Sequence, residues 1–387
     1  MKKAFLISAI ALALTPVAAA ADCDAANRYG FLFANQAAAT LTYGSTYNYT
    51  ASTTGGATRA FSMTPTQNGL SSTQAGGAQM PAITTLVTGP DATKRDLVLG
   101  GTFAGRTADI ASGTRVVSVT FTFAQPIRDF AIKVHDVDFT ANQYRDWLMV
   151  TGVGAGVTYT PAMTTPWGNS NAAGGARTNA SSSVTVGASS TPIALTAAQG
   201  AGSGASGNNS DTGTVTATFA QPVTTITVRY GNAPFTSGET ATGQQAIGIE
   251  GISFCPMPQV SVTKTSAPVG THALPGGDVR YTFTVTNTGG SPVDAGTIVL
   301  TDVLPAAITF RNIPLDPGTG APFDIAPGNS GMTMTNGSGV FSNTGGSTFG
   351  YAPVVGYDPA VNAIRIAPSG TMAASSTFSV SFVAAIK

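Results

Sequence analysis

TFTFAQPIRDFAIK, residues 120–133, returns as TATFAQPVTTITVR at residues 216–229, an offset of 216 − 120 = 96. Six of the first seven aligned residues are identical, which argues against chance reuse of a common turn. In the first copy Val117, Val119, Phe121 and Phe123 alternate with Val116, Ser118, Thr120 and Thr122. Period two gives a strand with one apolar face. Ala124–Gln125–Pro126 interrupts it, because proline cannot donate to a central ladder. Alternation resumes at Phe130, Ile132 and Val134. The second copy runs Val215, Ala217, Phe219, then Ala220–Gln221–Pro222, then Ile226, Val228, Tyr230. Each copy therefore reads as two strands joined by a tight connection, and the pair as two equivalent hairpin edges of a β-sandwich of jelly-roll type.

The rest of the chain agrees. YGFLF (29–33), TRAFSM (58–63), DLVLGGTF (96–103), DWLMVTG (146–152), SVTVG (183–187) and AIGIEGISFC (246–255) read as strands between Gly, Ser and Asn-rich loops. No long amphipathic helix stands out. Charged residues make up only 9% of the 387, but 42% are apolar, which argues against disorder and for an all-β globular protein.

The chain opens MKKAFLISAIALALTPVAAAAD. Lys2 and Lys3 precede a short apolar run and an A-x-A site, so residues 1–21 read as a secretory signal peptide, too short for a membrane span. Without it the mature chain carries 18 − 2 = 16 basic and 18 acidic residues. That balance gives nucleic acid and anionic lipid little to attract. Cys23 and Cys255 are the two cysteines, and an oxidising compartment makes a disulfide their expected state. The pair brackets a head domain of 22–256. The protein is expected outside the cytoplasm, at the cell surface or in the medium, with the periplasm as the alternative.

After Pro256–Met257–Pro258 a second pattern begins. VTKTSAPV, GGDVRYTFTVTNTG and LTDVLPAAITF resemble the immunoglobulin-like domain of unknown function number eleven, frequent in bacterial and archaeal surface proteins. The resemblance covers 259–387 and implies a small β-sandwich used as a stalk or spacer, with no catalytic residue. A strand is expected at Thr297 to Leu300, followed by TDVLP. Lys264 lies in this domain's first strand, where some surface Ig-like domains that it resembles form Lys–Asn or Lys–Asp amides; the last strand, FSVSFVAAI (378–386), has no Asn or Asp, so no such bond is expected. The head domain more loosely resembles lectin-like jelly rolls of exported bacterial proteins.

Aligned by the 96-residue offset, Asp129 meets Thr225, Asp136 meets Asn232 and Asp138 meets Pro234. The fold alone does not require these acids. Seven charged residues fall between Arg128 and Asp146, the densest run in the chain. Asp136, Asp138 and Asp146, with Asn142, offer the hard oxygen donors that suit one Ca²⁺ ion. The plain alternative is a solvated hairpin on which Arg128, Lys133 and Arg145 pair with the acids. Trp167, in the polar loop TTPWGNSN, is the candidate for stacking on a sugar, whereas Trp147 reads as core.

Enzyme readings find little support. His135 and Asp136 are strand neighbours that point to opposite faces, His272 lies in a Gly/Pro-rich loop, and the chain contains no G-x-S-x-G, H-E-x-x-H or P-loop. The chain is thus expected to be a non-enzymatic, adhesin-like surface or extracellular protein with an unknown surface protein or polysaccharide as partner. A calcium-dependent carbohydrate-binding module is the alternative, and a secreted hydrolase the third reading.

Overall fold

The computed structural model describes residues 23, 27–103, 110, 112–140, 144–164, 176–178, 183–186, 189–192, 197–200, 206–232, 243–271, 274–315, 318 and 320–387. The calcium candidate Asn142, the sugar candidate Trp167 and His272 lie outside these residues. The described chain is all-β, and it divides into two compact units, Cys23–Pro256 and 257–387.

The main strands of the first unit are β1 (Tyr29–Leu32), β2 (Tyr47–Ser52), β3 (Thr58–Asn68), β4 (Asp96–Phe103), β5 (Val116–His135), β6 (Tyr144–Gly154), β7 (Val215–Phe219), β8 (Val223–Asn232) and β9 (Gln244–Pro256). All their pairings are antiparallel. One sheet runs β2–β3–β5–β8–β6, through residues 116–122 of β5. The other sets residues 127–135 of the same strand between β9 and β7, with β1 and β4 on the far side of β9.

This corrects the hairpin reading of the repeated phrase. The two strands of a copy do not pair with each other. At Ala124–Gln125–Pro126 the first copy leaves one sheet and enters the other, where a residue without an N–H costs no ladder bond. The second copy crosses back between β7 and β8. Val117 to Thr122 pair with Tyr230 to Thr225, and Phe130 to Val134 pair with Phe219 to Val215. The leading strand of each copy thus pairs with the trailing strand of the other, and the copies are related by a local two-fold. The phrase is written twice because it is its own cross-strand partner.

The partners match in burial. Phe121 opposes Ile226, Val119 opposes Val228 and Phe130 opposes Phe219, all at most 2% exposed. Phe123, at the crossing, meets Phe254 edge-on at 4.7 Å and Phe61 at 5.7 Å. Each such ring contributes about 1.5–3 kcal/mol by leaving water. Cys23 and Cys255 form the expected disulfide.

The second unit has β10 (Val260–Pro268), β11 (Asp278–Asn287), β12 (Leu300–Val303), β13 (Ile308–Asn312), β14 (Phe323–Ala326), β15 (Gly339–Ser342), β16 (Gly356–Asp358), β17 (Ala363–Ile366) and β18 (Ser376–Ile386). One sheet is β10–β11–β18–β13–β16, with β14 also on β18; the other is β12–β17–β15. Phe283, Phe378, Val380 and Phe382 from one sheet pack with Leu300, Ile364 and Ile366 from the other. The strand expected at Thr297 to Leu300 starts three residues later. Leu300 and Asp302 are its inward positions, at 1% and 2% exposed, so a buried acid hid the alternation.

Candidate functional site

Two polar clusters meet at the end of β5, and they share no residue. Lys133 and His135, two apart on a strand, project to one side. Opposite them β9 carries a bulge: Lys133 pairs with Gly251 and Val134 with Ile249, which leaves Glu250 as the extra residue. Ile249 and Ile252 both face the core although they are three apart, which a regular strand does not allow. The bulge re-aims the side chain it inserts. Glu250 Oε2 accepts from Lys133 Nζ at 2.7 Å and lies 3.2 Å from His135 Nε2.

His135 is 2% exposed. Its Nδ1 is 2.8 Å from Thr214 Oγ1, and its Nε2 is 3.9 Å from Asp96 Oδ2, at the first residue of β4. The chain packs on the ring from above at Gly89, where φ is +62° and a Cβ would come within 2.4 Å of the imidazole. Gly248, the cross-strand partner of His135, leaves room for Asp96; a Cβ there would stand 2.9 Å from Asp96 Oδ2.

Asp96 has no exposure, and neither of its carboxylate oxygens has a hydrogen-bond partner. Burial pushes its pKa up to about 7, against the opposing pull of His135. Glu250 goes the other way, held down to about 2 by the hydrogen bond from His135 and by Lys133. The two carboxyls and the imidazole line a cleft of about 500 Å³ with Lys94, Lys133, Asp91, Asp211 and the hydroxyls of Thr88, Thr164, Thr214 and Thr216. Its lining includes no Phe, Tyr or Trp.

The second cluster holds the three acids expected to bind calcium. Asp136 turns the chain with φ +65°, and Val137 N–H then donates to Gly213 O. Asp146 Oδ2 accepts from Asp138 N–H at 3.1 Å and its Oδ1 from the Tyr230 hydroxyl at 2.6 Å. Asp138 Oδ2 accepts from Ser206 N–H at 2.5 Å. Asp136, Asp138 and Asp146 are 9%, 1% and 1% exposed. The solvated charged hairpin is therefore not what forms: Lys133 goes to Glu250 and Arg128 to Asp129, while the three acids turn inward. Burial, with the Asp138 charge, raises Asp136 to about 8 and holds Asp146 well above the carboxylate range. Among the described residues no group of three or more His, Cys, Asp or Glu side chains is arranged to hold a metal ion.

Reading the sequence by alternation missed Asp96 and Glu250. A signal was present in β9, whose apolar positions Ile247, Ile249, Ile252 and Phe254 step by two, three and two. The step of three marks the bulge, and Glu250 lies inside it. The expectation that His135 is not oriented by Asp136 agrees with its partners, Thr214 and Glu250. Trp147 is core, 1% exposed.

No protein-family model matches the chain, so the resemblance of 259–387 to the Ig-like domain rests on its quoted phrases and on the two-sheet fold. No curated protein matches it. Among solved structures it is similar to the N-terminal domain of the Streptococcus gordonii adhesin Sgo0707, at 11% identity over 93% of this chain and 87% of that one. The TM-score is 0.24, a likeness that carries no argument about this chain's function.

Proposed function

We propose that this chain is an exported, non-enzymatic interaction protein of the cell surface or extracellular space. The 23–256 sandwich is its binding head and the Ig-like unit a spacer. The observation that carries this is Asp96: a carboxyl buried in the wall of a cleft with neither oxygen hydrogen-bonded. Leaving such a group unsatisfied costs about 1–3 kcal/mol, and a partner that donates hydrogen bonds into the cleft recovers it. Hydroxyls of a polysaccharide and ammonium groups of a surface protein are the donors of matching chemistry. The leader-like first residues and the Cys23–Cys255 bond support export. No helix of the described residues is long and apolar enough to cross a membrane.

The test is retention of the full mature chain on immobilised bacterial and host polysaccharides and on arrayed surface proteins, beside Asp96→Asn. Saturable retention that weakens about tenfold in the variant, a change of about 1.4 kcal/mol, is the expected result. Equal retention of both proteins removes the cleft from the reading.

The calcium-dependent carbohydrate-binding reading keeps one observation of its own. Asp136 Oδ1 is buried without a hydrogen-bond partner, beside Asp138. Calcium at 100 times its Kd would add about 2.7 kcal/mol to the folded state. Equal melting in calcium and in chelator ends that reading.

A further inference from the structure

The cleft of the first unit carries more acid than base. Its lining sets Asp91, Asp96, Asp211 and Glu250 against Lys94 and Lys133. Both lysines already have an acid. Lys94 Nζ lies 3.5 Å from Asp91 Oδ2 at the rim, and Lys133 Nζ lies 2.7 Å from Glu250 Oε2 on the floor. Asp96 and Asp211 are the two acids that neither lysine takes. An anion entering the cleft therefore competes with a carboxylate for each lysine, whereas a cation finds two carboxyls open to it. Asp96 is the deeper of the two. It has no exposure and neither oxygen is hydrogen-bonded, with the His135 ring 3.9 Å away.

Shape narrows the choice of cation. Thr164, Thr216 and Lys133 are neighbours across three strands, and Thr214 lies two residues before Thr216 on the same side. This floor offers hydroxyls, and the threonine methyls with Pro90 offer apolar surface along which a methylene stem can lie. The Asp96 side chain is only 1% exposed, so it meets the tip of a slender group and not the flat of a sugar ring. The lining has no Phe, Tyr or Trp to give such a ring a stacking face. An ammonium on an unbranched stem is narrow, brings three N–H donors and carries the charge that the cleft lacks.

The rim is held ready for it. Thr88 N–H donates to Asn208 O at 3.0 Å and Asn209 Nδ2 donates to Thr88 Oγ1 at 2.8 Å, which ties the two loops above the floor to each other. Thr214 N–H donates to Asp211 O at 2.9 Å and keeps the exposed Asp211 beside the entrance. Asp96 has already left water on folding, so an incoming ammonium adds only its own desolvation to the cost of the ion pair.

We propose that the cleft takes a primary ammonium on an unbranched aliphatic stem, the side chain of a lysine on a partner protein, with Asp96 as its inner acceptor and Asp211 as its outer one. This rests on the reading of the cleft as the binding site of the head, and it chooses the ammonium over the polysaccharide hydroxyl.

The test is a ligand-observed NMR titration of the full mature chain with Nα-acetyl-lysine amide, beside its Nε-acetylated form, glucosamine and glucose. The lysine amide is expected to bind saturably, at least about tenfold more tightly than the other three. Asp96→Asn should weaken it about tenfold, and Asp211→Asn, at an exposed position, about threefold. Lys94→Ala removes a rim cation and should leave it as tight or tighter. No binding of the lysine amide, or equal binding of the Nε-acetylated form, overturns the proposal. Asp96-dependent binding of glucosamine or glucose alone also overturns it, while the cleft remains the binding site and its ligand is a sugar. Retention on polysaccharides or surface proteins that Asp96→Asn leaves unchanged removes the cleft itself, and the proposal with it. Where Asp96→Asn fails to fold, Asp211→Asn and the Nε-acetylated form decide.

Discussion

His135 and Asp136 are adjacent in the chain and belong to two different polar clusters. Around His135 the two carboxyls fare differently: Glu250 holds Lys133 and the imidazole, while Asp96 makes no hydrogen bond. Around Asp136 the matching is done by protons and backbone: Asp138 and Asp146 take N–H groups and the Tyr230 hydroxyl, and burial keeps Asp136 and Asp146 from ionising at the usual pH. The first cluster lines the 500 Å³ cleft, and none of the three acids of the second is in that cleft's lining. One is open to a cleft and the other is a rivet between β5, β6 and β8. The φ of +65° at Asp136 is what separates them, since it turns the chain out of the strand just after His135.

The sharpest way to break the comparison is Asp146→Ala. It removes the carboxylate that accepts from two buried donors, Asp138 N–H and the Tyr230 hydroxyl, and a lost buried hydrogen bond of this type costs about 1–3 kcal/mol. Denaturant unfolding of the 23–256 unit should therefore lose about 3 kcal/mol or more. A loss below about 1 kcal/mol means the cluster is not structural.

The pH dependence comes next. Asp96 at about 7 and Asp136 at about 8 have folded pKa values above their ordinary 3.8. Folding then favours the protonated forms, so their stabilisation is full below pH 4 and fades as pH rises toward 7 and 8. Glu250, at about 2 against an ordinary 4.5, acts oppositely: its stabilisation is full above 4.5 and fades as pH falls toward 2. The stability profile should peak between pH 4 and 5 and fall steadily toward pH 8 as these two carboxyls ionise. Asp96→Asn should flatten the alkaline limb while Asp136 still acts. A profile flat from pH 5 to 8 removes the buried neutral acids from both clusters.

Smaller still is Glu250→Gln. Its carboxylate is partly exposed, so about 1 kcal/mol is expected after solvent screening, together with loss of the acidic limb of the profile. Lys133→Ala should cost least, under about 1 kcal/mol, because its side chain is 46% exposed. If Lys133→Ala costs more than Asp146→Ala, the roles of the two clusters are reversed.

Period-two alternation was enough to place most of the head domain's strands, because a sheet with one face on the core repeats every two residues. Val117 through Phe123 and Phe130 through Val134 needed nothing more. It failed where geometry departs from that period. The repeated phrase looked like two hairpins because sequence shows a break in pairing but not which sheet the chain joins next. The acids 136, 138 and 146 read as calcium ligands or as a solvated hairpin because charge is usually exposed or metal-bound, and here Ser206 N–H and the Tyr230 hydroxyl, 68 and 84 residues away, hold Asp138 and Asp146 inside. Asp96 looked like the polar start of a strand, and only Gly89 and Gly248, glycines for lack of room, hint that something is packed against it. Asp302 was misplaced for the same reason, since its partner Lys264 is 38 residues distant.

The bulge at Glu250 also has a mechanical consequence. Glu250 lies on the same strand as the exit from the head domain at Pro256, six residues on. A partner held in the cleft and pulled away would load β9 along its own length. The ladder bonds of β9 to β5 and β1 lie across that pull, so they share it in shear instead of opening one after another. Cys255, one residue before the exit, is clipped to Cys23, so the strand cannot be drawn out past its end. The strand that carries the bulge is thus fastened along its length and clipped at its end.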